Sequence, residues 1–143
     1  EWAHWQSGNG DEYGEAFEDS VKPVFDAGLV DLVECDARIC DEVTLVPTPG
    51  HTPGHVSIRI KSKGQEAYIT GDALHHPCQM ARLDWSSAAD DDANMAKDTR
   101  IDMLNGLADT DTLVFGTHFA TPSAGHVKRE VDGTFRFEVT PKR

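Results

Sequence analysis

Three segments of the chain carry histidine or aspartate, residue types that commonly bind divalent metal ions. Each segment follows a stretch with the composition of a β-strand. The first is residues 48–55 (TPGHTPGH), a turn rich in proline and glycine. The second is residues 69–72 (ITGD), and the third is residues 115–118 (FGTH). Imidazole nitrogens and carboxylate oxygens are common ligands of zinc and similar cations. One histidine, one aspartate and one histidine, each at a strand end, therefore predict a metal site assembled at the edge of a sheet.

The two histidines of the first segment are predicted to have different roles. His51 and His55 are four residues apart, a spacing that on a helix would bring both to one metal ion. Pro53 and Gly54 lie between them and exclude a regular helix. His51 is free to direct its ring into a cleft. His55 opens the next strand and is better placed to support the turn or the ligands.

Asp72 and His118 are weak signals when taken singly. A carboxylate at a strand end can bridge two cations, one with each oxygen, or it can simply cap the turn that follows. A lone histidine at a strand end is more often a structural residue than a ligand. The combination of the three residues in this order favours the metal site over three separate structural roles.

The composition fits one globular domain and disfavours several functional classes. The 143 residues carry 13 basic and 25 acidic side chains, a net charge of −12, which argues against nucleic acid as a partner. No apolar run is long enough for a membrane helix, and no signal peptide is recognisable. Cys35, Cys40 and Cys78 include no C-x-x-C pair. We therefore expect reduced thiols and a cytoplasmic location, with a Cys35–Cys40 disulfide left open.

Hydrophobic periodicity predicts an α+β fold with a mostly antiparallel sheet and flanking helices. Helices are predicted at residues 11–25 and 93–108, and strands at residues 29–34, 42–46, 55–61, 66–70, 112–115, 125–131 and 134–139. The alternation in residues 55–61 predicts one apolar face, with Val56, Ile58 and Ile60, and one face in water, with Ser57, Arg59 and Lys61. Residues 55–70 are predicted to form a hairpin. Residues 73–91 have no clear period and are predicted to form a long loop with short helical turns, where pockets are commonly lined.

The acidic run at residues 90–92 is interpreted as the N-terminal cap of the second helix, since carboxylates there bind free N–H groups. Arg100, within that helix, is expected to form a structural ion pair with Asp84 or Asp90 rather than to contact substrate. His75 and His76 closely follow the strand-end aspartate. Each is as well suited to lining a substrate pocket as to a packed or exposed place in the loop.

The order of these motifs resembles the second half of the metallo-β-lactamase-fold hydrolase superfamily. The resemblance rests on residues 48–55, on Thr-Gly-Asp at 70–72 and on the strand-end His118. Residues 71–77 (GDALHHP), Asp84-Trp85, Thr99-Arg100 and residues 117–119 (THF) are similar to the branch near organophosphate hydrolases and quorum-quenching lactonases. The resemblance covers roughly residues 20–140. It implies half of an αβ/βα sandwich with a dinuclear site at the sheet edge.

The resemblance also implies a ligand set. His51 would bind one metal ion, the catalytic Asp72 would bridge both, and His118 would bind the other; His55, His75 and His76 are predicted to support the ligands or to line the substrate pocket. The implied cofactors are two divalent ions, zinc first, with iron, manganese or cobalt as alternatives.

The family's remaining ligands lie in a His-x-His-x-Asp-His motif, which is absent from this sequence. We therefore expect residues 1–143 to be the C-terminal part of a single domain whose missing half precedes Glu1. Taken alone, the implied ligands are too few for tight binding of two zinc ions, because a catalytic zinc usually has three protein ligands of its own.

For the intact protein the resemblance implies hydrolysis of a lactone, ester, thioester or phosphotriester by a metal-bridging hydroxide. The alternatives are a di-iron oxidoreductase on the same fold, or a catalytically incomplete chain that serves as a binding module; a metal carrier has little in its favour. The expected partner is a small-molecule substrate. A homodimer is a further possibility, and neither nucleic acid nor a membrane is expected.

Overall fold

The backbone divides into two units, Glu1–Glu34 and Cys35–Arg143. The computed structural model describes residues 1–6 and 17–139 of them. In the first unit, helix α1 spans Trp2–Gln6, a π-helical turn spans Phe17–Val21 and helix α2 spans Lys22–Asp26. Residues 11–16 of the predicted first helix lie outside the described residues. Pro23 lies in the first turn of α2, where its missing N–H is not needed, so the proline is compatible with the start of a new short helix.

The strand predicted at residues 29–34 is wrong. The segment has no strand assignment, and Leu29, Leu32 and Val33 are exposed. Alternating apolar residues form a strand only where a neighbouring strand accepts their backbone hydrogen bonds and a core covers one face. Within the described residues, this segment has neither.

The second unit contains one six-stranded sheet with its strands in chain order. They are β1 Val43–Pro47, β2 Val56–Ser62, β3 Gln65–Ile69, β4 Leu113–Phe115, β5 Ala124–Arg129 and β6 Phe135–Glu138. All neighbouring pairs are antiparallel except β3 and β4, which are parallel. Parallel strands need a crossover connection, and helices α3 (Cys78–Ala81) and α4 (Ala93–Leu107) form within it. The predicted α+β class with a mostly antiparallel sheet is confirmed.

The strand register brings three strand ends to one edge of the sheet. Pro47, at the end of β1, pairs with Val56 at the start of β2. Ile69, at the end of β3, pairs with Ile58 on one side and with Phe115, at the end of β4, on the other. The loops after β1, β3 and β4 therefore leave the sheet side by side. These loops carry His51, Asp72 and His118.

The hydrophobic core lies between α4 and one face of the sheet. Its buried members come from α4, from the segment after β3 and from four strands: Met103, Leu104, Leu107, Leu74, Met80, Tyr68, Val114, Val127 and Phe135. The buried face of α4 is formed by Ala96, Arg100, Met103, Leu104 and Leu107. Asp92 is the N-cap of α4, and its side chain accepts hydrogen bonds from the backbone N–H groups of Asn94 and Met95. The predicted capping by the acidic run is confirmed at this residue.

The predicted orientation of β2 is wrong. Ser57 was assigned to the face in water but is fully buried, whereas Val56, Ile58 and Ile60 on the other face are only partly buried. The reason is that the core lies on the side of Ser57. Alternation in the sequence shows that two faces differ but does not show which face the rest of the chain covers.

The cysteines and the helix lengths also bear on expectations from the sequence. All three cysteines are free thiols, so Cys35 and Cys40 do not form the disulfide that was left open. None of the helices in the two described ranges has the length and apolar character that crossing a membrane requires.

The turn at residues 48–55 rests against the start of α4. The backbone N–H groups of Asp91 and Asp92 donate to His51 O and Gly50 O, at 3.0 and 2.9 Å. Gly50 has φ +126°, and a Cβ there would lie 2.2 Å from the backbone nitrogen of Ala96. Only glycine permits this approach, because any side chain would have to occupy the space of the helix backbone.

We predict that Gly50→Ala lowers the free energy of unfolding by about 3 kcal/mol or more, since it combines an unfavourable φ with an overpacked contact. The matched control is Gly106→Ala in α4, where a Cβ meets no atom within 4 Å. This second change should stabilise the chain by about 0.5–1 kcal/mol through helix propensity. Urea denaturation of both variants measures the difference, and equal stabilities would contradict the close approach.

Candidate metal centre

Asp72 lies between two histidines at this edge of the sheet. Its Oδ2 atom is 3.4 Å from His51 Nε2, and its Oδ1 atom is 3.0 Å from His118 Nε2. The side chain of His51 is 16% exposed, that of Asp72 is 33% exposed and that of His118 is 46% exposed. The fold thus brings together the three residues selected by the sequence pattern. Each carboxylate oxygen faces a different imidazole ring.

Both ring nitrogens of His55 are engaged by neighbouring groups. Nε2 accepts a hydrogen bond from the backbone N–H of Asp72 at 3.0 Å. Because an amide N–H can only donate, Nε2 is unprotonated, and the ring proton lies on Nδ1. Nδ1 is 3.0 Å from Thr48 O and 2.8 Å from Thr48 Oγ1, both of which can accept that proton. His55 therefore has no lone pair left for a metal ion, and it positions Asp72 through the backbone.

Gly71 makes room for the contact between His55 and Asp72. Its φ is +56°, and a Cβ at this position would lie 2.6 Å from His55 Nε2. The Thr-Gly-Asp motif therefore has a physical reason for its glycine: the imidazole ring must reach the next backbone N–H without a side chain in the way.

A buried chain of hydroxyl groups lies behind His55. Ser57 Oγ donates to Thr70 O at 3.0 Å, which uses its only proton. Thr48 Oγ1, 3.1 Å from Ser57 Oγ, must then be the donor in that pair. This leaves Thr48 Oγ1 free to accept from His55 Nδ1, which agrees with the ring tautomer set by Asp72. The burial of Ser57 thus serves to tie the turn at residues 48–55 to β2 and to the end of β3.

Asp90 is the member of this centre that sequence analysis assigned to a different role. Its side chain is fully buried, and Oδ1 lies 3.1 Å from His51 Nδ1. Oδ2 accepts from the backbone N–H of Ser87 at 2.9 Å. A carboxylate accepts the Nδ1 proton, so Nε2 of His51 presents its lone pair to Asp72. One indication of a second role was present in the sequence, since Asp90 was a candidate partner for the ion pair with Arg100.

Arg100 connects Asp90 to the segment after β3. Its side chain is fully buried, Nε donates to Ala73 O at 2.9 Å, and Nη1 donates to Trp85 O at 2.8 Å. Nη2 lies 3.6 Å from Asp90 Oδ2. The expected structural ion pair therefore forms with Asp90, while Asp84 pairs with Arg82. Burial lowers the pKa of Arg100, and Asp90 opposes this effect.

The ring of His75 lies next to the rings of two other histidines. Its centroid is 4.9 Å from that of His118, nearly parallel at 13°, and 5.2 Å from that of His51. Burial is the main cause that lowers the pKa of His75, and the neighbouring His118 and His51 lower it further. The ring is therefore neutral near pH 7, which is the form that binds metal ions.

His75, His51 and Asp72 can each offer one ligand atom such that all three atoms lie within 4.8 Å of one another. His76 has a different place. It is exposed, and its Nδ1 accepts a hydrogen bond from the backbone N–H of Cys78 at 3.1 Å. That hydrogen bond joins the His76 ring to the first residue of α3.

A sequence model of the metallo-beta-lactamase superfamily matches residues 1–118 of the 143. The chain belongs to this superfamily. The metallo-β-lactamase superfamily is metal-dependent, which agrees with the group of potential ligands at the sheet edge. No curated protein sequence matches the chain significantly.

Solved structures show the same metallo-β-lactamase fold. A crystal structure of AbOPH, a hydrolase in the beta lactamase superfamily, has a TM-score of 0.85 at 21% identity and covers 99% of this chain. AidC, a dizinc quorum-quenching lactonase, has a TM-score of 0.73 at 20% identity and covers 90%. A probable metal-dependent hydrolase from Staphylococcus aureus has a TM-score of 0.58 at 20% identity and covers 81%. The matches span 53%, 48% and 42% of those chains, so this chain has about half their length.

We predict that Arg100→Met lowers the free energy of unfolding by about 3–5 kcal/mol, because it leaves the Asp90 carboxylate buried without its cation. Arg82→Met is the control, since Arg82 and Asp84 are both exposed and such pairs contribute about 1 kcal/mol or less. Adding Asp90→Asn to Arg100→Met should restore part of the loss, which a double-mutant cycle by chemical denaturation would quantify. Additive effects would show that the two side chains are not coupled.

Proposed function

We propose that this chain supplies one side of a dinuclear metal centre, in a protein that hydrolyses a lactone, ester, thioester or phosphotriester. The observation that carries the proposal is the placement of Asp72, whose two carboxylate oxygens face His51 and His118 separately at 3.4 and 3.0 Å. A carboxylate in this position can hold two cations at once, one with each oxygen.

The contacts of His51 fit a bound cation. With its Nδ1 proton directed to Asp90, His51 turns a lone pair toward Asp72 Oδ2 at 3.4 Å. Two electron-rich atoms that face each other in this way repel unless a proton or a cation lies between them. In a tetrahedral zinc site with bonds of about 2.0 Å, neighbouring ligand atoms are about 3.3 Å apart. The observed separation therefore suits a divalent ion without rearrangement.

Divalent ions in such a site lower the pKa of a bound water and polarise a carbonyl or phosphoryl oxygen. The protein's own residues do the positioning. Asp90 fixes the ring plane of His51, and the His55 ring fixes the backbone of Asp72. We propose Asp72 as the catalytic residue because its oxygens would set the spacing of the two cations. His118, with nearly half of its side chain exposed, lies on the open side, where a substrate can approach.

Superfamily membership supports a metal-dependent enzyme, and the solved neighbours are described as hydrolases, one of them as a dizinc lactonase. These neighbours are about twice as long as this chain. The second candidate raised by the sequence is a binding module that is catalytically incomplete. The two candidates differ in one measurable property, which is turnover.

The test is to measure hydrolysis by the natural protein, produced in its own cell and purified with its bound metal. We expect hydrolysis of at least one of four probes: an N-acyl homoserine lactone, an aryl ester, a thioester and an aryl phosphotriester. Elemental analysis should find zinc or another divalent ion, and removal by a chelator should abolish turnover. Metal binding without hydrolysis of any probe would favour the binding module. Iron together with redox activity would instead favour the di-iron oxidoreductase.

We further predict that His51→Ala reduces kcat/KM to background, because it removes a ligand. His55→Ala should lower it by about 10- to 100-fold, the range for residues that support a ligand. His76→Ala is the control, since this exposed ring bonds only the backbone of its own loop among the contacts described above. Steady-state kinetics on the three variants provide the comparison. Equal losses in His51→Ala and His55→Ala would contradict the separation of ligand from support.

A further inference from the structure

We infer that His75 is a third metal ligand, so that this chain by itself holds one divalent ion between His51, Asp72 and His75. The inference rests on the proposed function only in taking His51 and Asp72 as ligands. It departs from the ligand set that the family resemblance implies, which contains no residue at this position.

The geometry of the three side chains is close to that of a mononuclear site. One ligand atom from each lies within 4.8 Å of the other two, whereas bound ligands in a tetrahedral zinc site are about 3.3 Å apart. His51 and Asp72 already have a separation of 3.4 Å. The separations among the three ligand atoms therefore exceed the spacing of bound ligands by about 1.5 Å at most.

His75 has an unused polar atom for this role. Its Nδ1 is buried and has no hydrogen-bond partner among the described residues. Burying a polar atom without a partner is unfavourable, so such an atom in a native structure calls for a ligand. Metal coordination by the imidazole would offset this cost. No hydrogen bond would have to break first.

The backbone on both sides of His75 is held in place. Leu74 is fully buried in the core and extended, with φ −138° and ψ 122°, directly after the short 3₁₀ helix Gly71–Ala73. The backbone N–H of His75 donates to Oε1 of the buried Gln79 at 2.8 Å. The His118 ring stacks on the His75 ring and limits its tilt. The ring is thus presented to Asp72 before any ion binds, which lowers the entropy lost on binding.

Three protein ligands on one ion leave a fourth position open, which is the arrangement of catalytic rather than structural zinc sites. The expectation from the sequence was that the implied ligands are too few for tight binding of two zinc ions. It placed His118 on the second ion and did not count His75. With His75 included, the chain alone meets the usual number for one zinc ion. Stoichiometric binding of a single divalent ion follows.

The test is a zinc titration of the metal-free, full 143-residue chain in competition with a chromophoric chelator. We expect one ion per chain. His75→Ala should weaken binding by more than about 100-fold, beyond the loss of about 10- to 100-fold typical of a residue that only supports a ligand. His76→Ala should leave the affinity within about twofold of the parent chain. His118→Ala should weaken binding less than His75→Ala does. Circular dichroism of each metal-free variant controls for folding.

Cobalt gives a second readout that a purely structural role would not change. The visible absorption of bound Co²⁺ depends on its ligands, so it should change in His75→Ala and stay the same in His76→Ala. Equal zinc affinities of His75→Ala and His76→Ala would overturn the inference, as would a larger loss in His118→Ala or no binding by the parent chain. Turnover by the natural protein with an unchanged affinity in His75→Ala would leave the proposed function intact and remove only the role of His75.

Discussion

A buried guanidinium connects the loops of the candidate metal centre. Arg100 extends from α4 into the protein interior, where its side chain is fully buried, donates to the carbonyl oxygens of Ala73 and Trp85 and faces the carboxylate of Asp90. Ala73 directly follows Asp72, and Asp90 orients His51. A buried charge is tolerated only when it is paired and hydrogen-bonded. Arg100 meets this requirement with two hydrogen bonds and one ion pair, which connect α4 to the segments before and after α3.

The sheet and the hydrogen bonds around it contribute different parts of the centre. Strand register decides that the loops after β1, β3 and β4 lie side by side, which places the three candidate ligands within a few ångströms. Register does not orient side chains. Orientation comes from Asp90 behind His51 and from His55 behind Asp72, each through a hydrogen bond in the range of 3.0–3.1 Å. The candidate ligands are therefore oriented by groups outside the predicted ligand set, which is what a functional site needs from its surroundings.

The errors of the sequence analysis share one cause. The strand expected at residues 29–34 and the face in water expected for Ser57 were both inferred from alternation along a single segment. Alternation describes what a segment could bury, while burial depends on what packs against it. The expectations for α4, for its cap at Asp92 and for the pairing of β2 with β3 succeeded, because caps, tight turns and a 3.6-residue period are local properties.

The sequence alone determined the fold class, the family resemblance, and the choice of His51, Asp72 and His118. These three results depend on residue types at fixed spacing along the chain. Tertiary structure alone revealed the place of Asp90 beside His51, the choice of Asp90 over Asp84 as the partner of Arg100, and the approach of His75 to Asp72. These contacts join residues that are far apart in sequence or that are separated by a turn of unpredictable direction. No spacing rule encodes them, since they depend on how the crossover between β3 and β4 packs onto the sheet.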